Sequence, residues 1–419
     1  MGTHDDLLRR FQPALRYDSN EQFFADGAAQ YTDAAGLQLR RAALESGASG
    51  AVLASAGGAD GHRELSLAFL GPKHYGSGEE VDKTDVLGVQ GRDYRAQYVR
   101  LRTSRPDLNN RIYGRAVEAN GRLWLQYWTW YFYNDYQLAL GFGTHEGDWE
   151  SVQFRIGIDG DVPDVAVYAQ HRHGEKRDWE SVEKLPDSPD TPVVYVARGS
   201  HAAYFEAGYH QTEAWYDLAD GKRPAPKLEL EIVEHATHAW MRWPGRWGDT
   251  LPQKGKQLDL DQASPTGPGT KRHWRDPNAL LDGAKPSKVS DPPPAPDVRI
   301  TRGAGDVLEL AYDFSGREQQ PSALVVTVNS RNEKGVPPIT HTFDELDVSG
   351  TFQTTIPLDP EHHFDVYTST VTGDPPLPSA SRFTEVQAVK PEKDQAFGPE
   401  VAKKIGRFFA KIRGDLRSR

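Results

Sequence analysis

From residue 122 the chain reads RLWLQYWTWYFYN, with an aromatic or aliphatic side chain at most positions. A half-exposed strand alternates apolar and polar residues. A run apolar on both sides predicts a strand buried between two layers. SVQFRIGI (151–158), VAVYAQH (165–171) and PVVYVAR (192–198) follow as further strands, separated by Gly, Pro and Asp turns. This series predicts a mainly β protein whose core is an antiparallel β-sandwich. Residues 1–120 mix short helical stretches with loops. Within them QLRRAALESGA (38–48) sets Leu39, Ala42 and Leu44 at helical spacing before Gly47, and predicts a helix.

The pattern changes again at 243–296, where WPGRWGD, SPTGPGT and DPPPAP predict an irregular wrap ending in a stiff linker. Beyond it LELAYDF (308–314), SALVVTVNS (322–330), GTFQTTIPL (350–358) and FDVYTSTV (364–371) alternate between turns, as in a small immunoglobulin- or fibronectin-like sandwich. The last segment groups Ile405, Phe408, Phe409 and Ile412 on one helical face and lysines and arginines around the other, a basic amphipathic helix. Three units are therefore expected: a sandwich domain with peripheral helices and long loops over 1–290, a second sandwich over 297–390, and a terminal helix over 397–419. The helix would dock on a protein partner, on its own chain or on an anionic membrane surface.

Composition narrows the chemistry. A formal charge of −11, with no strong basic cluster before the C-terminus, argues against nucleic-acid binding. With no cysteine in 419 residues, any metal must be held by oxygen and imidazole. The N-terminus lacks the apolar core of a signal peptide, and no stretch approaches the ~20 apolar residues of a spanning helix. These features predict a cytoplasmic or peripheral membrane protein, any export using a route without a cleavable signal.

The pentapeptide DWESV occurs twice, at 148–152 and 178–182. In the first copy, alternation turns Asp148 and Glu150 toward the side that Val152, Phe154 and Ile156 occupy. Buried carboxylates two residues apart require a cation, arginine partners or a solvated cavity. His145 lies just upstream, and Asp135 ends the aromatic strand. Asp135, His145, Asp148 and Glu150 would form an oxygen-rich site for Ca²⁺, Mg²⁺ or Mn²⁺, while salt bridges and turn capping would account for the same residues. His171 and His201 follow buried strands and are candidate general bases for a metal-bound water. His173, Trp128, Trp130 and Tyr204 are candidate ligand contacts, the aromatics being equally ordinary core residues. Asp178 and Glu180 have no clear partner, leaving one chemical and one structural copy of the repeat.

FQPALRYDSNEQFF (11–24), GTHEGDWESV, YAQHRHGE, PVVYVARGSHAAYF, WPGRWGD and SPTGP resemble, in order and spacing, the vacuolar protein sorting 62-related family over about 11–277. THEGDWE also resembles the GHRHDWE heptapeptide of the necrosis-inducing cytolysins, which have a central β-sandwich. That second resemblance implies a divalent cation on Asp135, His145, Asp148 and Glu150, with His171 as a further functional histidine, and a ligand of the sugar-headgroup type. The chain departs from the cytolysins at Glu146-Gly147, where they have Arg-His, and lacks their cysteines and secretion signal. The function expected is a divalent-cation-dependent module binding a polar lipid headgroup or glycan. A metal-dependent hydrolase of phosphate or glycosidic esters and a structural or assembly protein are the alternatives.

Overall fold

The computed structural model describes residues 3–41, 51–89, 94–136, 145–158, 160–171, 173–211, 216–248, 264–291, 294–302, 307–317, 319–330, 339–344, 346–353, 364–372, 377–379 and 382–386. The expected terminal helix, with Ile405, Phe408, Phe409 and Ile412, lies outside these residues.

The protein is mostly β. Its largest sheet has six strands in the spatial order Glu229–Ile232, Arg111–Ala119, Arg122–Asn134, His145–Ile156, Pro163–Gln170, His173–Asp178. All neighbours are antiparallel except the first pair, which runs parallel. The aromatic strand sits third, with buried neighbours on both faces. On one face Tyr127 and Tyr131, with Val152 and Phe154 of the next strand, meet a smaller sheet carrying Leu15, Val194 and Val196. That sheet pairs Ala14–Tyr17 in parallel with Ser188–Val196, so the sandwich is not purely antiparallel.

On the other face Trp130 and Trp149 join Trp240 and Trp247, Trp130 lying 5.1 Å from Trp149 and 5.0 Å from Trp247 between ring centroids. Trp128 stacks on His273, and Gln126 and Gln153 donate to the His273 and Pro277 carbonyls. The Pro/Gly-rich segment thus lies against the sheet as expected. Buried amides satisfy its backbone where regular pairing does not.

The 38–48 expectation fails at its start. Leu37–Arg40 is a strand, paired with Val86–Val89 on one side and Val52–Ser55 on the other. Leu39 is buried by these partners, a non-local gain that outweighs helical spacing. Residues 42–48 lie outside the described set.

A separate apolar cluster, including Val298, Leu308, Leu310, Leu324, Val326, Phe364 and Val366, forms the core of the second sandwich. Its sheets order as 298–302, 308–313, 349–353 and as 339–344, 323–330, 364–372 with 382–386 alongside, close to the ranges predicted. Among the described residues no helix is long and apolar enough to cross a membrane.

Candidate functional site

The two DWESV copies separate on folding. In the second, Asp178 and Glu180 are exposed, while Trp179 packs against Phe11 and Phe154. In the first, Trp149 anchors one face of the sheet, and Asp148 and Glu150 point to the other, opposite Tyr131 and Thr129.

Asp148 is buried, and His201 compensates it. His201 Nδ1 lies 3.0 Å from Asp148 Oδ2, and Nε2 lies 3.5 Å from Glu21 Oε1. Its ring stacks face to face on Tyr131, centroids 3.8 Å apart and planes 2° from parallel. The histidine takes this position at φ +56°, immediately after a turn in which Gly199 has φ +72°. A Cβ on Gly199 would stand 2.3 Å from the Asp135 carbonyl oxygen, so only glycine lets the turn close on the end of the aromatic strand. Burial disfavours the charged ring, yet Glu21 and Asp148 lift His201 from an ordinary 6.5 to about 9. Burial likewise opposes the Glu21 carboxylate, but the His201 charge and hydrogen bonds from His201 and the Gly199 and Phe23 amides hold it below its usual range.

A second pair adjoins the first. His171, at φ +50° with its side chain 19% exposed, lies 2.7 Å from Asp217 Oδ2 through Nε2. Ser200 Oγ donates to Asp217 Oδ1 at 2.6 Å and Tyr204 donates to Oδ2 at 2.5 Å. Burial works against both charges, but the Asp217 charge raises His171, and the charge and hydrogen bond of His171 lower Asp217. Ser200 and His201 are consecutive, so one turn serves both pairs.

Glu150 is the exception. Among the described residues its carboxyl group has no hydrogen-bond donor or ion-pair partner. It borders a cavity of about 10 Å³ shared with Thr129, Tyr131 and His201, room for about one water. Burial, then the Asp148 charge, push its pKa well above normal; Lys271 and His201 offset this only in part.

His145 turns Nδ1 toward the Gly147 carbonyl at 2.8 Å. That contact requires the hydrogen on Nδ1 and leaves the lone pair on Nε2, the tautomer that suits a metal ligand. Burial keeps the ring neutral against the pull of Asp148. The donor types of the four expected ligands therefore suit a hard divalent cation. Among the described residues, however, no three His, Asp or Glu side chains form a group that could hold one. Asp135 is half-buried at the strand end.

Other expected roles are not met by this arrangement. His201 is fully buried between Asp148 and Glu21, which lift its pKa to about 9, so near neutral pH it already carries the proton that a general base would have to accept. Trp128 and Trp130 are 1% exposed and lie on the opposite face of the sheet from Asp148, so neither ring can stack on a ligand there. Tyr204 is 0% exposed and stacks on His210. His173 is half-buried on the strand after His171. Sequence reasoning missed Glu21 and Asp217. Glu21 stood in the quoted FQPALRYDSNEQFF stretch, but nothing local showed that it faces His201. The departure at Glu146-Gly147 has a structural cause. Glu146 is buried and accepts from the Tyr31 and Tyr94 hydroxyls and the Val89 amide. Gly147 has φ +59°, and a Cβ there would stand 2.1 Å from the Trp247 carbonyl oxygen.

Fold and site together define a two-sandwich β protein with a histidine–carboxylate cluster at the strand ends of its larger domain. No family model matches the chain. It is similar to TDA6 of Saccharomyces cerevisiae, a protein named for vacuolar protein sorting, at 28% identity over 178 residues, covering 32% of this chain and 37% of the yeast protein. The chain thus spans well under half of that relative. Similar solved structures include Necrosis and Ethylene inducing Protein 2 from the agent of cocoa's Witches Broom disease, at 14% identity over 68% of this chain and 92% of that one, with a TM-score of 0.31. Another is the non-toxic HaNLP3 protein, at 13% identity over 68% of this chain and 93% of that one, also at 0.31. Both resemblances read from the motifs are present among these relatives.

Proposed function

We propose that the protein is a binding module that takes up a divalent cation beside Asp148 and Glu150 and uses it to recognise a polar lipid headgroup or glycan. The observation that carries this reading is Glu150, a carboxyl group without a partner among the described residues, next to a compensated Asp148. Glu21, Asp148 and Asp217 face two histidines, His201 and His171, and Lys271 is a further positive charge acting on Glu150. A cation beside Asp148 and Glu150 would offset the repulsion between their carboxylates. As they stand these side chains do not form a group that could hold an ion, so His145 Nε2 and the Asp148 and Glu150 carboxylates would supply its donors only by drawing together as it binds, and the ion would then provide a positive charge to which ligand oxygens bind. The ligand class rests on the motif resemblance alone. The basic segment 397–419 would assist at an anionic membrane surface or on a protein partner.

The test is elemental analysis of the purified protein alongside Asp148→Ala, followed by glycan-array and liposome retention with and without EDTA. About one equivalent of Ca, Mg or Mn in the parent and none in the variant, with EDTA-sensitive retention, is the expected result. Retention that is the same in chelator and in Asp148→Ala refutes the reading.

A further inference from the structure

The strand Phe364–Thr372 alternates strictly, Phe364 and Val366 entering the core of the second sandwich and Tyr367 and Ser369 pointing away from it. Residues on an outer face are normally solvated, yet Tyr367 is 8% exposed and Ser369 0%. The first domain covers them. Ser369 Oγ accepts from Asn20 Nδ2 at 3.2 Å and from Arg198 Nη1 at 3.3 Å. These donors belong to the two loops that build the His201 pair. Asn20 precedes Glu21, and Arg198 precedes Gly199, whose amide donates to Glu21 Oε2 at 2.7 Å. Within the first domain, Arg223 also donates to the Glu21 carbonyl at 3.1 Å.

We propose that the second sandwich is a working part of the site, with Ser369 as a positioning residue whose hydroxyl clamps the Asn20-Glu21 and Arg198–His201 loops in register. One serine oxygen holding both loops fixes the separation of Glu21 from the turn that presents His201 to Asp148. The geometry of the cluster then depends on a domain that contributes no ligand to it. The clamp rests on the preceding reading only for its effect on cation binding; the loop geometry stands without it.

The experiment is hydrogen exchange by mass spectrometry on the full chain, comparing the parent with Ser369→Ala, Arg198→Ala and the double variant. Gly199 and His201 report directly, their amides being bonded to Glu21 Oε2 and to the Ala197 carbonyl. Ser369→Ala should raise exchange over 198–203 about tenfold while leaving the 122–134 strand unchanged, and the double variant should add little to either single change. Unchanged exchange at 198–203, or an equal rise throughout the first domain, overturns the clamp. If Ser369→Ala does not fold, Arg198→Ala alone decides by the same two criteria. A parallel Mn²⁺ titration should show about tenfold weaker binding in Ser369→Ala. A parent that binds no Mn²⁺ defeats the cation reading and leaves the clamp to the exchange data; a parent that binds, with undiminished affinity in the variant, overturns the coupling.

Discussion

Replacing His201 with asparagine tests the charge arrangement most directly. Asparagine is among the few residues that tolerate positive φ, so the substitution removes the imidazolium without adding backbone strain at φ +56°. His201 is fully buried, and its pKa rises on folding from 6.5 to about 9. A folded-state pKa above the unfolded one means that the imidazolium stabilises the fold fully below pH 6.5, and that this is lost as pH rises through about 9. The shift of roughly 2.5 units corresponds to about 3 kcal/mol, with a slope approaching 1.4 kcal/mol per pH unit inside the window. Glu21, held below its usual range, gives the acid limb of the same contact. That contribution is present above its ordinary 4.5 and lost as pH falls through its folded value, and it is not added to the first. Urea unfolding in EDTA at pH 6, 7, 8, 9 and 9.5 should therefore show the parent losing about 3 kcal/mol more than His201→Asn across the alkaline range. His171, also raised, titrates in both proteins and cancels in the comparison. Equal alkaline slopes in the two proteins would refute the claim that a buried imidazolium neutralises Asp148.

Three further outcomes follow from the packing. Gly199→Ala forces a Cβ to 2.3 Å from the Asp135 carbonyl and should cost at least about 3 kcal/mol in urea unfolding, whereas Gly121→Ala, at φ +70° in open space, should cost only about 1–2 kcal/mol. In the second DWESV copy, Glu180→Ala should change stability by less than about 0.5 kcal/mol, while Trp179→Ala should cost about 3–5 kcal/mol in the same assay. Tyr204→Phe removes one of three donors to buried Asp217 and should cost about 1–2 kcal/mol, with the His171 pKa, read by NMR, rising as Asp217 is left with fewer competing bonds.

What the sequence determined by itself was whatever neighbours along the chain decide. The aromatic run at 122–134, the strands after it and the alternating runs beyond 308 form elements close to their predicted ranges, because patterning along a strand is local: the aromatic strand is buried on both faces, and Leu308–Asp313 alternates buried and exposed positions. The inward turn of Asp148 and Glu150 was legible for the same reason. Leu39 shows the limit, since its helical spacing yields to strands at 52–55 and 86–89 that no local pattern announces. Only the tertiary structure decided how the inward carboxylate at 148 is compensated. Glu21 and His201 lie far from Asp148 in sequence, and they meet it because Gly199 lets one turn close on the aromatic strand while its amide bonds Glu21. The identical pentapeptides diverge on the same principle: the first runs through a central strand, and the second closes an edge strand with its carboxylates in solvent. Side-chain direction follows from the backbone's own repeat, but the neutralisation of a buried charge depends on which distant loops the fold brings against it.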